Sequence, residues 1–194
     1  MDEYRHRRRG RLQLLLLAVV FLGPLALAMY LYYGVEDWRP AGGTNHGTLI
    51  EPVVTLPEAP IETLTGETTA PDALRHHWTM LYVNANPCGD TCRQELLKTR
   101  QIRLALGAEA DRIERLYLYG AEPPAVDWLE ETQPALTAAP IDGNPSLAGA
   151  LPSREPAIYF IDPHGNLMMR FPADADPADI KDDLKKLLKV SRIG

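Results

Sequence analysis

The stretch YVNANPCGDTCRQELLK, residues 82–98, joins a predicted strand to a predicted helix and holds both cysteines of the chain, Cys88 and Cys92. The run HHWTMLYVNA is apolar and aromatic, has the length of a strand, and ends in the turn formers Asn86 and Pro87. The segment CGDTCRQELLKTRQIRLALGAEA then spaces four apolar residues at roughly helical intervals: Leu96, Leu97, Ile102 and Leu104. We therefore expect the cysteines at the point where a buried strand gives way to a helix.

The chain beyond the cysteines continues to alternate strands and helices. IERLYLYGA predicts a second strand, PAVDWLEETQ a short helix, and PAIYFIDPHGNLMMRF a hairpin that turns at residues 162–166. DPADIKDDLKKLLKVS predicts an amphipathic helix whose apolar face holds Ile180, Leu184, Leu187 and Leu188. The order strand, cysteine helix, strand, helix, hairpin, helix predicts an α/β domain of thioredoxin-like fold, with a mixed sheet covered by helices. In such sheets functional groups gather where strands end and helices begin, which is where the cysteines lie.

The N-terminal segment predicts a membrane anchor. Residues 12–33 form a run of 22 residues without a charge, and about 20 apolar residues suffice for a helix to cross a bilayer. Five arginines within residues 1–11 precede this run, so the positive-inside bias places the tail in the cytoplasm and the C-terminal domain in the periplasm. The sequence ALA at residues 26–28 resembles a signal-peptidase site, but the apolar run continues to Tyr33, beyond the usual length of the apolar h-region of a signal peptide. We therefore predict an uncleaved, single-pass anchor in the inner membrane.

Charge and length limit what the exported part can be. Because the whole chain has a formal net charge of −6 and residues 1–11 carry +3, the rest carries −9. This balance argues against nucleic acid as a partner, since phosphate binding needs clustered basic residues.

Residues 34–74 are dense in Gly, Pro and Thr, which predicts an extended linker with one short strand in GTLIEPVVTL, kept at an edge or in a bend by Pro52. The thioredoxin-like domain is assigned to residues 75–194.

Four kinds of site are open to a cysteine pair with this spacing: a metal clamp, a redox couple, a structural disulfide or two buried thiols. A thiolate at a helix N-terminus is stabilised by unpaired backbone N–H groups and by the helix dipole, which favours Cys88 as the reactive residue. One helical turn separates Cys88 from Cys92, so the two sulfurs can converge on a metal ion or on each other. A disulfide across so small a loop contributes little chain-entropy stabilisation, which disfavours a purely structural role.

The sequence resembles the Sco/SenC family of copper proteins, and the resemblance spans the anchor and most of residues 45–190. It rests on Cys88-Gly-Asp-Thr-Cys92 directly after a strand, with NHGTLIEP before the domain and YFIDPHGNL near its end as weaker signs. The resemblance implies a membrane-anchored, thioredoxin-like protein that helps assemble the binuclear copper site of cytochrome c oxidase. Its implied partners are the oxidase subunit bearing that site or another copper chaperone, and its implied metal is copper(I), held by Cys88 and Cys92.

The segment before the strand AIYFIDP departs from the Sco pattern. Sco proteins complete their copper site with a histidine a few residues before this strand, whereas the corresponding position here falls near Arg154, which has no lone pair to donate. Pro156 directly precedes the strand, as the cis-proline of thioredoxins does. An X–Pro bond is trans by default, and the resemblance leaves both the trans and the cis form of Glu155–Pro156 open. A cis bond facing the cysteines would direct the site towards thiol–disulfide chemistry.

Other histidines are weaker candidates for a third copper ligand. His164 lies in the turn DPHGN, His76 and His77 begin the strand at its far end from the cysteines, and His46 lies in the linker. Copper(I) held by two thiolates alone stays feasible, because this ion accepts low coordination and prefers soft sulfur.

Three hypotheses of function follow from the cysteine pair and the anchor. The preferred one is a thiol–disulfide oxidoreductase in which Cys88 attacks a disulfide, Cys92 resolves the mixed disulfide and Pro156 lies beside them, so that target cysteines stay reduced for copper insertion. The alternative is a metallochaperone that carries copper(I) between the same thiols. The third is a membrane-tethered interaction module with incidental cysteines. Acid–base catalysis is disfavoured, because the paired carboxylates Glu130–Glu131 and Asp182–Asp183 are predicted on solvated helix surfaces.

Overall fold

The computed structural model describes residues 2–34, 44–120 and 122–191, without the side chains of residues 2–10, 12 and 32. The chain divides into two compact units, Met1–Thr44 and Asn45–Gly194. Residues 35–43 of the predicted linker, and the arginine side chains before position 11, lie outside what is described.

The first unit contains a helix, α1, over Asp2–Gly34. The helix continues through Pro24. Its segment Gln13–Leu31 has a mean hydropathy of 2.5, and its described apolar side chains are largely exposed. By length and composition this helix is able to span a membrane, as predicted.

The second unit is a mixed α/β domain built from six strands and four helices in its described part. The strands are β1 Thr48–Thr55, β2 Trp78–Asn84, β3 Ile113–Tyr119, β4 Leu136–Pro140, β5 Ala157–Ile161 and β6 Asn166–Pro172. The helices are α2 Asp90–Leu104, α3 Val126–Thr132, α4 Pro145–Ala150 and α5 Pro177–Val190, with a short 3₁₀ helix at Gly107–Arg112. The strand order is β1-β6-β5-β2-β3-β4, in which β2, β3 and β4 are parallel and the other pairs are antiparallel. The predicted thioredoxin-like fold is confirmed.

The central strand β2 is buried along its whole length because the sheet has a core on both faces. Alternate residues of a strand point to opposite faces, so β2 contributes to both cores. The first core, which includes residues of α2 and α5, contains Met80, Tyr82, Leu96, Ile180 and Leu184. The second, which includes a residue of α4, contains Leu81, Val83, Leu116, Leu118 and Leu147. The apolar face predicted for the last helix is therefore a core face.

Two elements, β4 and α4, were not predicted from the sequence. The strand LTAAP consists of small residues and ends in a proline, and the helix PSLAGA has six residues, so neither is long enough to show a period. The short strand predicted before the domain is present as β1, at one edge of the sheet and containing Pro52. From Asn45 onward the predicted linker belongs to the compact unit, where Leu56, Ile61 and Leu74 are buried.

The prediction that Asp183 is solvated was wrong. Asp183 is 1% exposed, and its carboxylate accepts hydrogen bonds from the backbone N–H groups of His46 (2.6 Å) and Gly47 (2.9 Å) and from the Lys186 ammonium (3.1 Å). A Cβ atom at Gly47 would overlap the side chains that surround it, including the Phe171 ring. The carboxylate is buried because the segment before β1 packs closely against α5. His46 and Gly47 are separated from Asp183 by 137 and 136 positions in the sequence.

Candidate redox site

Cys88 and Cys92 lie where β2 ends and α2 begins, as the sequence predicts. The helix starts at Asp90 after its N-cap residue Gly89, so Cys88 precedes the helix and Cys92 lies in its first turn. A disulfide joins the two cysteines, whose Cα atoms are 5.1 Å apart. This separation falls in the usual range of about 4.4–6.8 Å for disulfides. The two sulfurs therefore converge on each other.

The two cysteines differ in their access to solvent. Cys92 is buried, with 4% of its surface exposed, whereas Cys88 is half-buried and only borders the core. The backbone N–H of Cys88 donates to the carbonyl of Glu122 (3.2 Å), which ties the cysteine loop to the segment after β3. Since Cys88 also lies beside the N-terminus of α2, which favours negative charge, it is the sulfur better placed to meet an incoming group.

A tyrosine that the sequence analysis did not single out contacts the buried cysteine. The Tyr117 hydroxyl lies 3.2 Å from Cys92 Sγ, within hydrogen-bonding distance for sulfur. Tyr82 stacks on Tyr117 with ring centroids 5.4 Å apart, and the tilted rings of Tyr117 and Tyr119 have centroids 5.9 Å apart. Burial, followed by repulsion from Tyr117 and Glu95, holds the pKa of Tyr82 far above its ordinary value. Burial likewise raises the pKa of Tyr117, against the hydrogen bond from the Asn84 side chain, so both phenols are neutral at physiological pH.

The tyrosine contact follows from strand pairing that a linear pattern does not reveal. The alternation in IERLYLY places Tyr117 and Tyr119 on the face opposite Leu116 and Leu118. The parallel register then sets Tyr82 beside Tyr117. The alternation was visible in the sequence, but the register was not, and it is the register that brings the tyrosines under α2.

Pro156 lies at the same end of the central strands β2 and β5 as the cysteine loop, because the antiparallel register pairs Val83 with Ala157. Among the described residues the cis peptide bond is Glu51–Pro52, so of the two forms left open for Glu155–Pro156 the structure has the trans form. A role of Pro156 beside the cysteines stays a prediction that rests on its position alone. Arg154, at the place where the resemblance expects a histidine, is exposed.

The histidines proposed as replacement ligands contact other residues. The register of Thr79 with Ile161 places the turn containing His164 at the opposite end of β2 from the cysteines, where the His76 N–H donates to the Pro163 carbonyl (2.9 Å). His77 pairs with Glu114 (3.1 Å), and His46 pairs with Asp179 (3.2 Å).

A donor set for a resident metal is correspondingly small. Within the described ranges no group of three or more His, Cys, Asp or Glu side chains is arranged to hold a metal ion. The two cysteine sulfurs, once reduced, are soft donors that suit a two-coordinate copper(I) ion.

Two family models match the chain. A model described as the transmembrane-like, thioredoxin-like, C-terminal domain matches residues 78–191, and one described as the transmembrane-like, N-terminal domain matches residues 5–35. The comparison with curated proteins found no match.

Solved structures with a similar fold include Sco proteins and dsbF. Yeast Sco1 aligns with a TM-score of 0.61 at 18% identity, covering 73% of this chain and 98% of that one. Bradyrhizobium japonicum ScoI with copper bound gives 0.51 at 19%, covering 69% and 98%. MTB dsbF, in mixed oxidized and reduced forms, gives 0.53 at 20%, covering 69% and 99%. These likenesses confirm the thioredoxin-like fold and, at the level of fold, the resemblance to Sco proteins.

Proposed function

The chain belongs to the family of transmembrane-like proteins with a thioredoxin-like C-terminal domain, and from this we propose that it carries out thiol–disulfide exchange through Cys88 and Cys92. The observation that carries the proposal is the disulfide at the junction of β2 and α2, with one sulfur half-buried and the other buried. An accessible sulfur at a helix N-terminus is typical of disulfides that undergo exchange, whereas structural disulfides resist reduction.

The exchange proceeds in two balanced steps. In the reduced protein the Cys88 thiolate attacks a client disulfide, forming a mixed disulfide and releasing one client sulfur as a thiolate. Cys92, as a thiolate, then attacks the Cys88 sulfur of the mixed disulfide, which closes the Cys88–Cys92 disulfide and releases the second client sulfur. Two electrons have passed to the client, and an external dithiol restores the reduced pair by the reverse route.

The proposed clients are cysteine pairs that must be reduced before copper enters them, in a cytochrome c oxidase subunit or in a copper chaperone. This part of the proposal is supported by the likeness in fold to Sco proteins and by the cysteine spacing. The arginines within residues 1–11 support an inner-membrane protein with its domain in the periplasm, a compartment in which disulfides persist.

A second candidate function is transport of copper(I) as cargo. The observation that favours it is the convergence of two sulfurs without a third ligand in the described residues, a donor set that suits low-coordinate copper(I) and easy ligand exchange. The third hypothesis, a tethered interaction module, requires that replacing both cysteines by serine leaves function intact.

One experiment separates these functions in the full chain held in detergent micelles. The fraction of Cys88–Cys92 disulfide is measured in dithiothreitol buffers of graded potential, and the reduced protein then competes with a chromogenic chelator for copper(I). We expect a reversible two-electron transition and copper(I) binding no tighter than that of a free dithiol. A disulfide that cannot be reduced and reformed would refute the exchange function. Tight one-to-one copper(I) binding that is lost in Cys88→Ser would instead support the carrier.

A further inference from the structure

We propose that Tyr117 donates the hydrogen bond that stabilises the Cys92 sulfur when this sulfur leaves the disulfide as a thiolate. The inference rests on the proposed exchange function and adds a residue to the same site. It starts from the 3.2 Å contact between the Tyr117 hydroxyl and Cys92 Sγ, in a part of the domain where both residues are buried.

The direction of this hydrogen bond follows from the oxidation state. In the disulfide Cys92 carries no S–H, so the hydroxyl of Tyr117 is the donor and the sulfur is the acceptor. A donor already aimed at the sulfur needs no rearrangement when negative charge develops there, and hydrogen bonds to charged acceptors are stronger than those to neutral ones.

A second buried side chain, Asn84, interacts with the Tyr117 phenol. The Asn84 side-chain oxygen accepts from the backbone N–H of Asn86 (3.0 Å), which orients the amide group. The hydrogen bond between the Asn84 side chain and Tyr117 lowers the pKa of the phenol against the effect of burial, as a donor to the phenol oxygen does. A donor to the phenol oxygen is compatible with the hydroxyl donating its proton to Cys92 Sγ, the contact that carries the proposal.

The surroundings leave this hydroxyl as the principal stabilising group. Among the described residues the hydrogen-bond partner of Cys92 Sγ is Tyr117. The nearby buried carboxylate of Glu95 is paired with Lys98 (2.8 Å), and that ammonium also donates to the Ala173 and Ala175 carbonyls, so it is committed away from the sulfur. A buried thiolate is costly without a partner, because desolvation disfavours its charge.

The reaction step that depends on Tyr117 is reduction of the disulfide by an external dithiol. A dithiothreitol thiolate attacks Cys88 Sγ, the Cys88–Cys92 bond breaks, and Cys92 leaves with the electron pair as a thiolate while dithiothreitol becomes bonded to Cys88. The second dithiothreitol sulfur, as a thiolate, then displaces Cys88, giving cyclic oxidised dithiothreitol. A better-stabilised leaving thiolate leaves faster, so the first step reports directly on the hydrogen bond.

The test compares Tyr117→Phe with Tyr82→Phe in the full chain in detergent micelles. Tyr82 is a matched control because it is a buried tyrosine stacked on Tyr117, whereas the contact with Cys92 belongs to Tyr117. The rate constant for disulfide reduction by dithiothreitol is expected to fall about 10- to 100-fold in Tyr117→Phe, as loss of a hydrogen bond to a charged group implies. In Tyr82→Phe it should change by no more than about twofold.

A second measurement separates this effect from general disturbance of the site. In the Cys92→Ser background, alkylation of Cys88 by iodoacetamide should proceed at the same rate with and without Tyr117→Phe, because the hydroxyl acts on Cys92. If Tyr117→Phe fails to fold, Tyr117→3-fluorotyrosine keeps the shape and makes the phenol a stronger donor, which should accelerate reduction.

The outcomes distinguish the inference from the proposed function. A wild-type disulfide that dithiothreitol does not reduce reversibly would overturn both. Normal exchange in the wild type with an unchanged rate in Tyr117→Phe would overturn the role of Tyr117 alone. Equal slowing in Tyr117→Phe and Tyr82→Phe, or altered alkylation of Cys88, would mean a packing effect and would also overturn that role.

Discussion

Cys92 and Asp183 are both buried acceptors, with 4% and 1% of their surfaces exposed, but their surroundings differ in kind. The carboxylate of Asp183 is met by two backbone N–H groups and an ammonium. The sulfur of Cys92 is met by one phenol hydroxyl and is bonded to a half-buried partner. A fully satisfied charge holds two segments together, whereas a sulfur with one donor keeps the capacity to change its bonding. We therefore infer that the Asp183 carboxylate holds the segment before β1 against α5, whereas the Cys92 sulfur is the one that can change its bonding.

The largest effect should come from removing the resolving sulfur. In Cys92→Ser, exchange with a client disulfide should stop at the mixed disulfide with Cys88, because no thiolate remains to resolve it. Mass spectrometry after mixing with a disulfide-containing peptide should find the peptide trapped on Cys88. The unfolding free energy should stay within about 1 kcal/mol of the reduced wild type, since a serine hydroxyl can still pair with Tyr117. Full turnover by this variant would contradict the two-cysteine mechanism.

Replacing Asp183 should lower the stability of the domain and leave disulfide reduction unchanged. Asp183→Ala leaves the buried N–H of Gly47 without its acceptor and should lower the unfolding free energy by about 2–3 kcal/mol. Urea unfolding followed by tryptophan fluorescence measures the loss. Asp182→Ala is the matched control, because Asp182 is the exposed neighbour on the same helix and should change stability by less than about 0.5 kcal/mol. Equal losses in the two variants, or slower disulfide reduction in Asp183→Ala, would remove the contrast between the two places.

Acid should weaken the Asp183 contact, whereas the buried tyrosines stay neutral. Burial alone would raise the pKa of Asp183, but the Gly47 N–H, the Lys186 ammonium and the His46 N–H hold that pKa below its ordinary value. Because the folded-state pKa is the lower one, this stabilisation is complete above the unfolded pKa of about 3.9 and is lost as the pH falls through the folded value. The stability difference between wild type and Asp183→Asn should be constant above about pH 5 and shrink below about pH 4. A difference that grows in acid would show that the carboxylate is not stabilised in its charged form.

The smallest effect is expected at the rim of the same contact. The His46 imidazole pairs with Asp179 at 3.2 Å, but both side chains are 46% exposed. Solvent screens such a pair, so His46→Ala should cost less than about 0.5 kcal/mol in urea unfolding at neutral pH. A loss comparable to that in Asp183→Ala would mean that the exposed pair, and not the buried carboxylate, holds the segment in place.

The elements that could be predicted are those whose own residues show a clear local pattern of apolar and polar positions. The strand before Cys88, the helix after it and the last amphipathic helix each show a period or a run long enough to identify, and all three are present. The short elements β4 and α4 were missed because they form by packing against neighbours and carry little pattern of their own. The resemblance left the form of the Glu155–Pro156 bond open, and the backbone adopts the trans form.

The apolar N-terminal helix, the α/β order and the place of the cysteines could be predicted, because these features depend on residues close together in the chain. Tertiary structure decided which cysteine is buried, that Tyr117 is its hydrogen-bond partner 25 residues away, and that Asp183 is enclosed by the segment before β1. These contacts depend on strand register and on helix packing across the sheet, which join residues distant in sequence. Local periodicity carries no information about such partners, so the chemistry of the site becomes readable only in the folded domain.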